Sequence, residues 1–139
     1  MDNTYRLEII TPEKVFFQDE VISCIFPSED GFMSIQKNHE PLVAAVVIGP
    51  IKIHLKDDTW VECATTEGFM EVRPSETMIF AQTVEWPDEI DMRRAQEAAE
   101  RARERLRQKQ SWNEYQQSHI ALARAMVRLK VGRKNRNME

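Results

Sequence analysis

The chain has 139 residues, of which 42% are hydrophobic and 30% are charged, so it can form one ordinary domain or two small ones. Its formal net charge of −4 conceals an asymmetry: residues 1–87 carry 6 basic and 15 acidic side chains, whereas residues 88–139 carry 13 basic and 8 acidic ones. No segment approaches the roughly 20 apolar residues of a membrane-spanning helix, so we expect two modules with different partners, at most peripheral to a membrane.

Up to residue 86, apolar and polar residues alternate with the period of two that is typical of β-strands. Asp57 and Asp58 predict a turn between two such strands, and residues 73–76 predict another. Short strands at a spacing of about ten residues predict a small antiparallel β-sandwich or barrel. The strands most clearly indicated lie at residues 5–9, 51–55, 59–64, 71–72 and 77–82.

Two cysteines, Cys24 and Cys63, lie in apolar β-like segments and belong to no CxxC or Cys/His cluster. We therefore expect two buried free thiols in a reducing compartment. The histidines His54 and His119 are predicted to lie at the surface or at its boundary with the core.

The pattern changes at Trp86-Pro87, where a proline followed by two acids predicts the start of a helix. One helix is predicted from Ile90 to about Lys109 and a second from about Trp112 to Val131, with Gly132 ending it ahead of a basic tail. The short polar break between them predicts an antiparallel hairpin. The predicted packing stripes are Ala95, Ala99, Ala102 and Leu106 on the first helix, and Tyr115, Leu122, Ala125, Met126 and Leu129 on the second.

Four arginines, Arg94, Arg101, Arg124 and Arg128, each stand one residue before a stripe residue. Because one residue turns a helix by about 100°, all four flank the stripe on the same hand, and antiparallel packing puts them on one side of the hairpin. If the connection is centred near residue 110, Arg94 lies level with a point between Arg124 and Arg128, and Arg101 lies about 10 Å nearer the connection. This geometry suits a polyphosphate, since guanidinium groups are planar bidentate donors. The alternative is a solvated basic face with helical ion pairs such as Glu97–Arg101.

The alanine-rich stripe favours helix formation but buries little apolar area. Such a hairpin is held together weakly while each helix stays intact, which is what a conformational switch requires. The alternative is an ordinary hairpin that stays closed.

Segments along essentially the whole chain resemble the ε subunit of bacterial F-type ATP synthase. The opening strand YRLEIIT, the loop GFMSIQKNHEPL and the segment EGFMEVRP each resemble an element of that family. The segment IDMRRA, which follows the β region and opens the helical hairpin, fits the family signature Ile/Leu-Asp-x-x-Arg-Ala.

This resemblance implies a fold and a role. Residues 1–86 would form an N-terminal antiparallel β-sandwich that docks on the γ subunit of the central stalk and on the membrane c-ring. Residues 87–139 would form a regulatory C-terminal hairpin of two antiparallel helices. The folded hairpin would permit turnover, and the extended hairpin would reach the catalytic α/β hexamer and inhibit ATP hydrolysis. The chain would be a peripheral, non-catalytic subunit at the cytoplasmic face of the bacterial plasma membrane.

The resemblance also implies that ATP is a regulatory ligand that holds the folded form, with neither a metal nor a nucleic acid required. The family positions for ATP binding are all matched here. They are Glu85, Ile90, Asp91, Arg94, Ala95, Arg101, Arg124 and Arg128.

The chain departs from the family pattern at several positions. Phe32 stands where the loop usually has an acid, and Ser34 and Lys37-Asn38 replace a glycine and a Pro-Gly pair. Glu67 replaces the first glycine of a Gly-Gly-Phe element. These positions are where the resemblance implies contacts with the c-ring, so the family's individual contacts are not carried over to this chain.

Three further residues bear on function. His39 is retained, either as an interface residue or as a structural turn histidine. Trp112 and Tyr115 replace the usual start of the second helix, and we predict that they pack in the seam between the helices.

Two other functions are compatible with the sequence. One is a nucleic-acid-binding hairpin on a β domain, which the basic second half favours and the acidic first half opposes. The other is a purely structural rotor adaptor whose hairpin never opens. We expect no active site, because no nucleophile–base pair, metal cluster or glycine-rich phosphate loop is evident.

Overall fold

The computed structural model describes residues 2–137, with side chains described to residue 134, and consists of two compact units, Met1–Glu85 and Trp86–Glu139. The first unit is built of β-strands and the second of helices. Neither helix in the described residues is long and apolar enough to cross a membrane. The strands are β1 (Tyr5–Ile10), β2 (Val15–Ser28), β3 (Gly31–Gln36), β4 (Leu42–Val46), β5 (Gly49–Leu55), β6 (Trp60–Thr65), β7 (Gly68–Val72), β8 (Glu76–Ala81) and β9 (Val84–Glu85).

The strands form the predicted β-sandwich, in the hydrogen-bonded order β4-β7-β8-β1-β2-β5-β6-β9, with β3 added beside β2. The predicted turns at residues 57–58 and 73–76 do connect antiparallel pairs, β5 with β6 and β7 with β8. The expectation of a wholly antiparallel sandwich is wrong at one ladder, because β1 pairs with β8 in parallel. Sequence alternation cannot detect this, since it fixes which face of a strand is buried but not the direction of its neighbour.

The 14-residue strand β2 connects the two parts of the sandwich and was missed in the sequence. Its first half pairs with β1, and its second half pairs with β3 and β5. The register against β5 shifts between Val21 and Ser23, so the buried side chains change from Val21 to Cys24 and Phe26. A bulge reverses the alternation of faces, which explains why no continuous period of two marks this strand.

The interior of the first unit is apolar and includes both cysteines. Leu7, Ile51 and Ile79 are completely buried, as are Cys24 and Cys63, and neither cysteine forms a disulfide, as predicted. Burial raises the pKa of the Cys24 thiol to about 12. The thiol therefore remains protonated and unreactive in the folded protein.

One departure from the family loop has a backbone conformation that favours glycine. Asn38, at the position of the glycine in the family's Pro-Gly pair, has a φ of +65°. Asparagine is one of the few residues other than glycine that adopts this left-handed conformation readily. The Asn38 substitution is therefore compatible with an unchanged turn before His39, whose backbone N–H donates to the Gln36 carbonyl.

The second unit begins with a short 3-10 helix, Pro87–Glu89, and not with the predicted long helix. Helix α1 spans Met92–Arg107 and helix α2 spans Trp112–Asn137. Ile90 is extended, so α1 begins two residues later than predicted. The prediction that Gly132 ends α2 is wrong: the helix continues through it.

The physical reason for glycine at position 132 is close packing and not a helix end. A Cβ atom there would lie 2.3 Å from Met92 Sδ and 3.6 Å from Ile90 Cγ2. Glycine lets the start of α1 approach α2 at this level, at the usual cost of about 1 kcal/mol relative to alanine in a helix interior.

Gly68 at the start of β7 generates a stability prediction. A Cβ atom there would lie 1.8 Å from the Phe80 carbonyl oxygen and 2.8 Å from Ala81 Cα. Because backbone cannot move aside cheaply, we expect Gly68→Ala to lower the free energy of unfolding by about 3 kcal/mol or more. Urea unfolding of the full chain measures this, with Ser34→Ala, an exposed change on β3, as the control. Equal unfolding midpoints for the two variants would contradict the predicted clash.

Candidate functional site

The two helices of the second unit pack through small side chains. Ala95 and Ala99 of α1 form a buried cluster with Ala125 and Leu129 of α2. Met92, Ala98 and Leu122 pack against this cluster and are only partly buried. Since a buried alanine contributes far less apolar area than a buried leucine, the seam between the helices is weak for its length.

Met92 at the start of α1 lies beside Gly132 of α2 and relates the two helices at one end of the hairpin. If each residue of α1 is matched with one residue of α2, starting from the contact between Met92 and Gly132, Arg94 lies level with Lys130 and Arg101 lies level with Ala123. Arg94 is therefore nearest Arg128 along the hairpin axis, and Arg101 is nearest Arg124. The connection between the helices, residues 108–111, is centred near residue 110, as predicted. The arginines form two pairs about 6–10 Å apart along the axis, at about 1.5 Å of rise per residue.

A contact between the helices shows which residues share a side of the hairpin. Arg103 Nη2 lies 3.2 Å from Met126 Sδ. Both residues follow a buried seam alanine, Ala102 and Ala125 respectively. Residues that come directly after a seam residue in the sequence therefore face one side of the hairpin. The four arginines come directly before seam residues and lie on the opposite side of the hairpin.

Arg124 and Arg128 differ from the other cations of the unit in their burial. In residues 86–134, where side chains are described, they are half-buried and every other lysine and arginine is exposed. The reason lies in α2, where Val127 and Val131 form a second buried stripe in addition to the seam. Arg124 and Arg128 project between these two stripes. The second stripe was missed in the sequence, although its i,i+4 spacing is a recognisable signal.

The ion pairs of α1 do not involve Arg94 or Arg101. Glu97 Oε1 lies 3.2 Å from Arg93 Nε, so the predicted pair Glu97–Arg101 does not form. In the described part of the chain, Arg94 and Arg101 are exposed and neither side chain makes an ion pair within 4.0 Å. Two exposed guanidinium groups beside two half-buried ones provide donors for an anionic ligand.

The other predicted site residues have clear structural roles. Asp91 is the N-cap of α1, and its Oδ1 accepts from the Arg94 backbone N–H at 3.1 Å. Ile90 is buried near Gly132, and Ala95 lies in the seam. Glu85 is in the first unit, half-buried at the end of β9 and paired with Ala64.

The prediction that Trp112 and Tyr115 pack in the seam is wrong. Trp112 is 71% exposed and Tyr115 is 37% exposed. Both rings instead border an open pocket at the connection, which Leu106 of α1 and residues 108–111 also line. The seam position at that end is filled by Ser118, which is buried and whose hydroxyl lies 3.5 Å from Gln110 Oε1.

Comparison with known protein families gives matches to both units. Residues 4–87 match the family model described as ATP synthase, Delta/Epsilon chain, beta-sandwich domain. Residues 88–132 match the model described as ATP synthase, Delta/Epsilon chain, long alpha-helix domain.

Curated relatives match over nearly their full length. The chain is 44% identical over 133 residues to the ATP synthase epsilon chain of Ruminiclostridium cellulolyticum, covering 96% of this chain and 98% of the relative. It is 42% identical over 139 residues to that of Caldanaerobacter subterraneus subsp. tengcongensis, covering 99% and 100%.

Solved structures show the same fold at low identity. A chain of the mitochondrial ATP synthase of Euglena gracilis matches with a TM-score of 0.81 at 20% identity, covering 94% of this chain and 81% of that one. A chain of the central stalk and c-ring of the Tetrahymena thermophila enzyme matches with a TM-score of 0.66 at 12% identity, covering 92% and 96%.

The N-cap generates a prediction that separates helix capping from ligand binding at Asp91. Asp91→Ala removes the acceptor for the Arg94 N–H and should cost about 1 kcal/mol, which raises amide exchange at Arg94 about fivefold. Asp91→Ser keeps a capping oxygen and should exchange nearly as slowly as the parent chain. Hydrogen exchange followed by NMR measures both variants. Equal exchange in Asp91→Ala and the parent chain would show that the cap does not protect this N–H.

Proposed function

Because this chain belongs to the Delta/Epsilon chain family of ATP synthase, we propose that it is a rotor subunit that couples the central stalk to the c-ring and regulates ATP hydrolysis. Its C-terminal helices form a switch that ATP holds in the closed-hairpin form. The chain contributes no catalytic group of its own. Within residues 2–137 no group of three or more His, Cys, Asp or Glu residues could hold a metal ion.

The proposed partners of the β-sandwich are the γ subunit and the c-ring. Support comes from the fold, which matches chains in two ATP synthase assemblies, one described as central stalk and c-ring. Support also comes from relatives that are epsilon chains along their whole length. On this proposal the chain is peripheral and meets the membrane only through the complex, at the cytoplasmic face of the bacterial plasma membrane.

The observation that carries the ATP proposal is the arrangement of the four arginines. They share one side of the hairpin in two pairs, each with one arginine from α1 and one from α2. A triphosphate lying along this side contacts both helices at once and so stabilises their packing against each other. Glu97 pairs with Arg93, outside this group, so it does not neutralise the arginine side. Ile90, Asp91, Ala95 and Glu85 complete the proposed site by family resemblance.

The weak seam makes the energetics of such a switch favourable. Each charge-assisted contact contributes roughly 1.5–3 kcal/mol before desolvation and ordering costs. Ligand binding stabilises the closed form by about 2.7 kcal/mol when ATP is at a hundredfold excess over its Kd. A two-state hairpin that is mostly open without ATP is then mostly closed with it.

The open hairpin accounts for inhibition. We propose that extended α2 meets acidic surface on the catalytic α/β hexamer through its basic side. That side and the basic end of the helix comprise Arg124, Arg128, Lys130, Arg133 and Lys134. Arg124 and Arg128 would then bind ATP in the closed form and the acidic surface of the hexamer in the open form. Because the same two side chains cannot do both, the two states exclude each other.

Isothermal titration with ATP tests the arginine site. Arg94→Ala and Arg128→Ala each remove one member of the same pair and should weaken binding about tenfold or more, since each loses a charge-assisted contact. Arg103→Ala, on the opposite side of the hairpin, should bind nearly as tightly as the parent chain. Equal affinity for Arg94→Ala and Arg103→Ala would reject the arginine site in favour of a solvated basic face.

Hydrolysis by the assembled complex tests the regulatory role. A complex whose subunit lacks residues 88–139 should still assemble, because the proposed docking surface lies in the β-sandwich, and should hydrolyse ATP faster than the intact complex. Replacing Lys130, Arg133 and Lys134 by glutamine should raise hydrolysis part of the way. Unchanged hydrolysis after the deletion would identify a purely structural adaptor. Loss of assembly would contradict the division of roles between the two units.

A further inference from the structure

The contact between Arg103 and Met126 joins the two helices on the side of the hairpin opposite to the four arginines. Arg103 Nη2 lies 3.2 Å from Met126 Sδ, so a guanidinium N–H of α1 donates to the thioether sulfur of α2. A thioether is a weak acceptor. A strong, charged donor therefore meets a weak acceptor, and a better acceptor at the same position would strengthen the link between the helices.

The neighbouring acids of α1 leave the Arg103 guanidinium available to such an acceptor. Glu100 accepts a hydrogen bond from Gln96 Nε2 at 3.2 Å, and Glu104 Oε2 lies 3.2 Å from Arg107 Nη1. Within residues 2–134, where side chains are described, Arg103 forms no ion pair within 4.0 Å. Its printed side-chain partner is the sulfur of Met126.

Met126 is open to oxidants in solution. Its side chain is 40% exposed. Of the other methionines whose side chains are described, Met70 is completely buried and Met33, Met78 and Met92 are only partly exposed. The sulfur carries two lone pairs, and the contact with Arg103 occupies one of them. A hydroperoxide therefore reaches Met126 Sδ more readily than the other described sulfurs.

We propose that Met126 is a reversible oxidation site and that its sulfoxide holds the hairpin closed. A sulfur lone pair attacks one oxygen of hydrogen peroxide, and the O–O bond breaks. The transferred oxygen gives its proton to the departing hydroxide, which leaves as water. Sulfur is oxidised by two electrons and the peroxide is reduced by two. In the reverse reaction, catalysed by a methionine sulfoxide reductase, two thiols become a disulfide and the oxygen leaves as water.

The position of Met126 decides the sign of the effect. A sulfoxide disrupts packing where it replaces a buried thioether. Met126 lies outside the buried cluster of Ala95, Ala99, Ala125 and Leu129 and is already partly in water. Its sulfoxide oxygen would accept from the charged Arg103, and hydrogen bonds to charged groups are stronger than neutral ones. Oxidation therefore raises the ratio of closed to open hairpin, by about fivefold.

This inference deepens the proposed function, on which its consequence for ATP hydrolysis rests. ATP and the sulfoxide act on opposite sides of the same seam, and both favour the closed form. Because the seam is weak, one stronger hydrogen bond changes the population of the closed form measurably. Oxidation of Met126 thus relieves inhibition of ATP hydrolysis.

Nuclear magnetic resonance of the full chain tests the site without any partner. Alanine methyl groups of the seam, labelled with carbon-13, report the ratio of closed to open hairpin. The ratio is measured at the urea concentration at which half of the parent hairpins are open. A limiting amount of hydrogen peroxide should raise this ratio about fivefold. Peptide mass spectrometry should find Met126 oxidised ahead of the other methionines in residues 2–134, and a methionine sulfoxide reductase with dithiothreitol should reverse both changes.

Three variants separate the sulfoxide from other effects of peroxide. Met126→Leu keeps a similar volume but forms no sulfoxide, so peroxide should leave its ratio unchanged. In Arg103→Ala, Met126 is still oxidised but the ratio should not rise, because the donor is missing. Met126→Gln carries an amide oxygen as acceptor and should raise the ratio without peroxide. An unchanged or lower ratio in the oxidised parent chain, or an equal rise in Arg103→Ala, would overturn the proposal.

Hydrolysis by the assembled complex distinguishes this site from the proposed function. A complex reconstituted with the oxidised subunit should hydrolyse ATP faster than one with the reduced subunit, whereas peroxide treatment of Met126→Leu should have no effect. A raised closed-to-open ratio with unchanged hydrolysis would support the oxidation site and reject the regulatory switch. Faster hydrolysis without a raised ratio would reject the sulfoxide link and leave the rotor function standing.

Discussion

The second unit depends on a helix–helix seam made largely of alanine. Small side chains at 95, 99, 102 and 125 let the two helices pack closely, and Gly132 leaves room for the Met92 side chain. Close backbones put the arginines of both helices within reach of a single polyphosphate, while the small buried area keeps the pairing weak. Leucine at these positions would increase the distance between the helix axes and, by burying more apolar area, would make the hairpin harder to open. The alanines therefore determine both the spacing of the arginines across the hairpin and the ease of opening.

Much of the β unit could be predicted because half-buried strands such as β1 and β5 show strict alternation. Where the alternation is interrupted, prediction failed for a physical reason. The bulge near Ser23 reverses the faces of β2, and the parallel partner of β1 comes from the far end of the unit. The motifs that resemble the family compensate for this loss, because they fix the topology that local patterns leave open.

The arginine side was predictable from spacing, since position relative to the stripe determines the side of an antiparallel hairpin. The partial burial of Arg124 and Arg128 was not. Gly132 was assigned to a helix end because glycine is common there, but it serves the approach of Met92. That contact brings the start of α1 beside the last turns of α2.

The parallel pairing of β1 with β8 has a consequence for how the chain folds. Its partners, such as Arg6 and Glu76, are 70 residues apart, so the central ladder has high contact order and must close a long loop. During synthesis the sandwich cannot close until β8 has left the ribosome. The helical hairpin is made of local contacts and forms quickly once both helices have emerged. The slow step therefore belongs to the β unit.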